Sequence, residues 1–370
     1  MSRPYDLVLY GATGYLGSLV VQYLWAHGPP ALRWAVAGRS EQKLATLVNS
    51  LDRTTSDRNL PHTMVTTLAG EDLNRMASQT SLVLNTVGII PQCAVESSPP
   101  DLMTLLMART LRRPLGPMFF TIQHSWTGFS GGTIASIFAG LETYSLRQMM
   151  AAGAPGASCI PDAGPHRPHS APMLPVRHDR SLGHVTFNPS AMADQNVVMR
   201  TWSLLNRCGE KNEQYGSRFS FQGYTAAHSR LGAWSSFLTM SVAILCTVLF
   251  PPFRWLLQWL SPEPGTGPHL KPGEKHFVEW KAIVAADGTN VHEPSALGVM
   301  RMDTDVYSVC ATFVSEAALT LLLVLKGKSE DSMAEKLGGG ILTPASLGIT
   351  YVERLEKAGL HWTVTETKGK

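Results

Sequence analysis

Hydrophobic positions along the chain follow two alternating rhythms near its start. Leu7, Val8, Leu9 and Tyr10 form a short unbroken apolar run, as a strand buried on both faces of a parallel sheet requires, and Gly11 ends it. From Tyr15 to Ala26 the rhythm becomes helical, with Leu16, Leu19, Val20, Tyr23 and Leu24 on one face. The same alternation returns in the strand-like LRWAVAGRS (32–40) and the helical SEQKLATLVNSL (40–51), and SLVLNTVG (81–88) reads as a further strand. Much later, KHFVEWKAIVAADGTNVHEPSALGVM (275–300) alternates as a strand pair about an Asp287-Gly288 hairpin turn, and a helix is expected from Val306 to Leu325. The pattern predicts an α/β fold: a Rossmann-type parallel sheet, a second α+β domain and a separate apolar segment.

The glycines lie where a dinucleotide site needs them. Gly11, Gly14 and Gly17 give a GxxGxxG spacing on a strand-to-helix turn. Gly11 suits the tight turn, Gly14 leaves room for a diphosphate near the backbone, and Gly17 lets helix and strand pack closely. Gly11, Ala12, Thr13, Gly14, Tyr15, Leu16 and Gly17 are therefore cofactor-binding candidates, their amides meeting phosphate at a helix start. At the end of the second strand Arg39 and Ser40 stand where the adenosine ribose is expected, with no carboxylate before Glu41. A guanidinium and a hydroxyl there favour the 2′-phosphate of NADP(H). Ser40 also suits the cap of the following helix.

Composition narrows the remaining classes. With 370 residues, 44% hydrophobic and 16% charged, the chain is long enough for two domains with real cores. A net charge of +3 without a basic stripe argues against nucleic acid as a partner. Cys93, Cys159, Cys208, Cys246 and Cys310 are far apart, so neither a disulfide framework nor a zinc ribbon is indicated, and a reducing compartment is the simpler expectation. MSRP runs directly into the first strand without the features of a secretory signal.

Taken together, YDLVLYGATGYLG, AGRS, NTVG, SSPPDL, GGT and GGGILTPASLG resemble the saccharopine dehydrogenase-like oxidoreductases, and within them the trans-acting enoyl reductase branch. The resemblance runs from residue 5 to about residue 360. It implies an NADP-dependent reductase acting on substrates from amino-acid imines to polyketide or lipid-like enoyl chains. It also implies an interrupted nucleotide-binding domain (1–95) on which a C-terminal helix (341–360) packs, and a substrate or interaction domain over 96–330. Asn85, Thr86, Val87 and Gly88 join the cofactor-binding set on the same ground.

One departure bears on activity. In the family, roughly fifty residues of loop, helix, strand and helix separate NTVG from the next strand, whereas here Ile89 follows Gly88 directly. Parallel neighbours in one sheet need a crossover of about a dozen residues or more, so 82–93 cannot hold two of them. Pro91 argues that pairing ends near Ile90. Unless coding sequence is missing, the sheet has lost a strand and its covering helix beside the nicotinamide position. The family's Gly, aromatic, Asp segment is here Ala94, Val95 and Glu96. The resemblance puts Ser98 and Asp101 near the hydride-transfer face, but a helix N-cap at Ser98 explains them equally well, and the catalytic residues stay unassigned.

Three other patterns carry weaker chemistry. GFSGG (128–132) satisfies G-x-S-x-G with Ser130 as the nucleophile, yet no acid and base partner can be placed. His166, His169, His178 and His184 fall in a Pro- and Gly-rich stretch (151–190) that reads as a solvated loop without metal-ligand spacing. Residues 231–253 carry no charge, are bounded by Arg230 and Arg254, and are about long enough to cross a bilayer. Trp234, Trp255 and Trp259 sit as interfacial aromatics, so 231–260 reads as a membrane or lipid-droplet contact, or as a buried tunnel wall.

The first reading is an NADPH-dependent oxidoreductase reducing an unsaturated or carbonyl-containing apolar substrate, free or carrier-bound, in secondary metabolism. The alternative is a catalytically degenerate membrane or lipid-surface protein retaining the nucleotide-binding fold. Either would work at the cytoplasmic face, alone or as a homodimer.

Overall fold

Leu7, Val8 and Leu9 are fully buried in the computed structural model, which describes residues 3–52, 58–87, 97–167, 174–209, 211, 213–271, 273–288, 294–328 and 332–367. Their strand, β1 (Tyr5–Tyr10), leads into α1 (Tyr15–His27), β2 (Trp34–Gly38), α2 (Glu41–Asn49), β3 (His62–Val65), α3 (Gly70–Gln79) and β4 (Thr80–Asn85). The four strands are parallel in the order β3-β2-β1-β4, with Leu7 beside Trp34 on one side and Leu82 on the other. Because side chains alternate along a strand, Leu7 and Leu9 enter one core with Val20, Val21 and Leu24 of α1. Val8 and Tyr10 enter the opposite layer with Met76 of α3.

The first sheet ends at β4. Among the described residues β4 pairs with β1 alone, and Val83 and Val87 are exposed. As expected, the strand and crossover that the family resemblance would place beyond it are not among the described residues: the next described elements are α4 (Ser98–Leu111) and β5 (Leu115–His124), which lies in another sheet. Residues 88–96, with Gly88 and Cys93, lie outside the described residues.

The second sheet is built from the remaining elements in chain order. These are α5 (Gly131–Thr143), α6 (Leu146–Gly153), β6 (Val176–Asp179), β7 (Gly183–Phe187), α7 (Ala191–Cys208), β8 (Ser220–Ala227), α8 (Arg230–Leu249), α9 (Pro251–Leu260), β9 (Val278–Ala286), β10 (Ala296–Met302), α10 (Val306–Leu325), α11 (Met333–Leu337), α12 (Ile349–Lys357) and β11 (His361–Glu366). A 3-10 turn, Pro344–Leu347, precedes α12. The strand order is β11-β10-β9-β5-β8-β7-β6, antiparallel throughout except for β5 and β8.

The stretch read as a solvated loop is partly ordered. β6 and β7 form a hairpin whose turn is held by Asp179 Oδ1, which accepts from the amides of Ser181 and Leu182. His178 and His184 face each other across it with ring centroids 4.5 Å apart. The abundance of Pro and Gly on either side masked a four-residue strand too short for periodicity to register. His169 lies outside the described residues.

Two described helices are long and apolar enough to cross a membrane, α8 and α10, and they have opposite surroundings. α8 is almost wholly exposed, whereas α10 is mostly buried. One stripe of α10 (Ala311, Ala318, Leu319 and Leu322) joins the core of the first sheet, and another (Val309, Cys310, Phe313 and Ala317) joins that of the second. Between the stripes, buried Glu316 accepts a hydrogen bond from Tyr23 of α1 (2.8 Å) and pairs with Arg354 of α12 (2.6 Å). Within 341–360, Leu347, Tyr351, Val352 and Leu355 enter the second core, and α12 reaches the first sheet through α10.

Glu316→Ala is expected to lower stability by about 3 kcal/mol, since it leaves Arg354 and the Tyr23 hydroxyl without their buried partner. The shift is read from urea midpoints at constant m-value, and a change below about 0.5 kcal/mol, the scale of an ordinary surface substitution, would show that the triad adds nothing.

Candidate functional site

The turn between β1 and α1 is closed from three sides. Gly11 has φ +85°, and a Cβ there would lie 2.5 Å from Val87 Cγ2 and 2.9 Å from Thr86 Oγ1. A Cβ on Gly17 would come within 2.2 Å of the Gly11 carbonyl oxygen, so only glycine lets α1 settle onto the turn. The amides of Gly11 and Ala12 both donate to the Ala37 carbonyl of β2, at 2.9 and 3.2 Å. Across the turn, the Thr86 amide and hydroxyl both donate to the Tyr10 carbonyl, and Asn85 exchanges hydrogen bonds with the main chain of Val87.

The turn suits an anion. α1 starts at Gly14 with no side-chain cap and no acidic residue in its first turn, which leaves the positive helix end open. Ala12 is buried, Leu16 packs toward both cores, and Thr13 sits beside Gly38 at the end of β2. The next residue, Arg39, is exposed, and Ser40 accepts from the Lys43 amide at 3.3 Å as the cap of α2. The structure thus brings Gly11–Gly17 together with Asn85–Val87, and stations Arg39 at the neighbouring strand end. Gly88 lies outside the described residues.

Sequence reasoning missed what covers Tyr15. Its ring meets Tyr307 edge-on with centroids 5.1 Å apart, and its hydroxyl donates to the Pro268 carbonyl at 3.1 Å. Burial, then the nearby Asp305 and Tyr307, holds the Tyr15 phenol above its ordinary pKa. Tyr307 Oη in turn accepts from the Ser130 amide at 2.6 Å and lies 3.2 Å from Thr133 Oγ1. The connector over 261–268 passes this cluster: Thr266 O accepts from the Gly131 amide, and Gly267 lies so near the Tyr15 ring that a Cβ would approach to 2.5 Å. No spacing in the sequence links Tyr15 to Tyr307; only the docking of α1 against α10 does.

One expectation about hydroxyls holds and one changes. The glycines at 128–132 lead into a helix start, where Ser130 Oγ accepts from the Thr133 amide at 3.2 Å and caps α5. The α4 cap falls on Ser97 rather than Ser98, and Ser98 is the first helical residue, fully buried. Asp101 is also fully buried, away from any open face, where its Oδ2 accepts from the Ala345 amide at 2.8 Å. It fastens α4 to the 3-10 turn beside Thr201 and Thr343, a contact across 244 positions.

Burial pushes the Asp101 carboxyl up to about 7, against the opposing pull of Thr201, Ala345 and Thr343. The folded chain therefore keeps a proton that the unfolded chain loses near pH 4, and stability falls as pH rises from about 4 to about 7. The full loss is at most about 4 kcal/mol, at about 1.4 kcal/mol for each unit. Urea midpoints at pH 5 and pH 8 should differ in the parent and converge in Asp101→Asn; equal midpoints in the parent would contradict a buried, proton-holding Asp101.

Among the described residues no three His, Cys, Asp or Glu side chains cluster to hold a metal ion. A cleft of about 340 Å³ opens between 125–127 and 269–276, with Trp126, Lys271, Glu274 and Lys275 on its walls. None of the glycine-turn residues lines it.

Strand, glycine turn and uncapped helix define a Rossmann-type α/β protein. The chain is similar along its length to trans-acting enoyl reductases. It is 27% identical to a Mycobacterium tuberculosis protein provisionally given that name, over 98% of each chain. It is 24% identical to the trans-acting enoyl reductases of Mycobacterium ulcerans and Mycobacterium bovis, over 97% of each chain. Over 91 residues, 24% of this chain and 21% of the relative, it is 43% identical to a lipid droplet localized protein of Caenorhabditis elegans. No protein-family model matches. The alignment with the Mycobacterium tuberculosis relative runs over 429 positions against the 370 residues here, so dozens of positions in that relative have no counterpart.

Proposed function

We propose that the chain is a saccharopine dehydrogenase-like oxidoreductase that uses NADPH to reduce an apolar, polyketide-like or lipid-like substrate, free or carrier-bound. The observation that carries this reading is the uncapped start of α1 over Gly11 and Gly17, in a chain similar along its length to named enoyl reductases. Main-chain amides from Thr13 to Gly17 would hold a diphosphate, Asn85 to Val87 would wall it, and Arg39 with Ser40 would meet the 2′-phosphate. NADPH bound there would supply the hydride for the β-carbon of an enoyl thioester. The α-carbon would take its proton from Tyr307, whose oxygen is held between the Ser130 amide and the Thr133 hydroxyl.

Two measurements test this reading. Fluorescence titration should give tighter binding of NADPH than NADH by about tenfold or more, the scale of one charge-assisted pair, and Arg39→Asp should abolish the preference. With an enoyl thioester, Tyr307→Phe should lower kcat by about 100-fold while NADPH affinity holds. Equal affinities in the parent remove the NADP assignment; unchanged kcat removes Tyr307.

The edge of β4, unpaired among the described residues, favours a second reading, in which the chain keeps the adenosine half of the site and serves a lipid surface without turnover. The name of the nematode relative supports it. The same edge offers a pairing surface to a second copy of the chain. Under this reading the parent does not oxidise NADPH, and inserting after Gly88 a crossover of the kind the family resemblance implies restores turnover. Full turnover in the parent dismisses it.

A further inference from the structure

We infer that α8 and α9 form a re-entrant hairpin that enters a single leaflet of a lipid surface and leaves by the side from which it came. The inference rests on the lipid-surface part of the second reading and is indifferent to turnover. Its starting point is where the hairpin is held. Near its start, Ala233 is fully buried and its carbonyl accepts from Thr186 Oγ1 at 2.9 Å, while the Phe237 ring meets Phe187 of β7. At its end, the connector is fixed to Gly131 and Tyr15. Both ends thus belong to one folded body, and what lies between them is apolar: Leu238, Val242, Leu245, Leu249, Phe250, Trp255, Trp259 and Leu260 are each more than half exposed.

The tip is prepared for a medium without water. A helix end leaves carbonyls without partners and a helix start leaves amides, which is harmless in water and costly in hydrocarbon. At the end of α8, Cys246 O accepts from the Phe250 amide, and the Arg254 guanidinium donates to the carbonyls of both Thr247 and Val248. At the start of α9, Pro251 and Pro252 have no amide proton, and the Phe253 amide donates to Phe250 O. The hydroxyl of Thr247 donates back to the helix carbonyl of Ala243. Arg254 is the one charged residue in 231–262, and it is spent inside the hairpin. A soluble partner would not require this provision; acyl chains would.

Length decides between spanning and re-entry. The 10 residues of α9 rise about 15 Å, half of the roughly 30 Å hydrocarbon core of a bilayer. The length of α8 beyond its Phe237 contact with β7, from Leu238 to Leu249, rises about 18 Å. Two arms of that reach fill one leaflet. Trp234 and Trp259 lie toward the body ends of the two arms, where interfacial aromatics belong.

The test uses the full chain, extracted in detergent and transferred either to phosphatidylcholine vesicles or to triacylglycerol droplets coated by a phosphatidylcholine monolayer. A single-leaflet hairpin is captured by both, and flotation reads the bound fraction. Leu245→Glu with Leu249→Glu should lower capture by both surfaces at least about tenfold, with an unchanged near-UV spectrum as the check on folding. Arg254→Ala should lower it severalfold, and Arg254→Lys should recover only part of the loss because it lacks the planar fork. Capture by vesicles but not by droplets overturns the single-leaflet hairpin and leaves the lipid-surface reading standing. Capture by neither removes that reading as well, and capture unaffected by the double glutamate variant shows that another surface binds lipid.

Discussion

Helix α10 must satisfy two cores at once, and the rest of the molecule is arranged around that demand. Ala311, Ala318, Leu319 and Leu322 complete the core under the parallel sheet, while Val309, Cys310, Phe313 and Ala317 complete the one under the mixed sheet. A helix apolar all round is stable in water only when both flanks are covered. The single carboxylate in its buried middle, Glu316, is tolerated because a phenol from α1 and a guanidinium from α12 converge on it. Those partners belong to elements far apart in the chain, so the ion pair fixes not only a charge but the angle at which the parallel sheet meets the rest. The Tyr15 and Tyr307 contact beside the glycine turn is a product of the same docking.

The local features of this arrangement were legible in the residues. The unbroken run Leu7 to Tyr10 and the spacing of Gly11, Gly14 and Gly17 each have a short-range physical reason, and each lies where expected, whereas Asp287-Gly288 only begins the connection over 287–295, because β9 pairs with β10 through Val284 and Ala296. What could not be read depends on partners. α8 and α10 have the same length, and both are apolar enough to cross a membrane; one is core and the other is surface, because α10 meets two sheets and α8 meets one at its end. Asp101 carried no sign that it would close on Ala345, since a carboxylate in a first helical turn has an ordinary reason to be there. The β6–β7 hairpin was hidden by composition, its strands only four and five residues long.

Among the described residues the first sheet consists of one βαβαβ unit with an extra strand. In a doubly wound fold, two such halves meet at the point where the strand order reverses, and the dinucleotide lies across the join. This chain keeps the half that binds adenosine in such folds, and α4, the element after β4, turns instead to the second core. The contacts gathered at Tyr15 therefore come from α10 and the connector, with Ser130 at the start of α5 holding Tyr307 behind it, rather than from a second half-sheet.

The connector itself touches its neighbours with main-chain atoms. Thr266 and Pro268 contribute carbonyl oxygens to Gly131 and Tyr15, and Pro262 and Glu263 approach Gly131 with theirs. A strand of chain held in this way is indifferent to most of the side chains it carries but not to its length. Substitutions along 261–268 should drift freely over evolutionary time except where a side chain would strike the Tyr15 ring, whereas one inserted residue would shift every carbonyl out of register. The path from the apolar hairpin to the glycine turn is thus specified as a measure of distance more than as a string of letters.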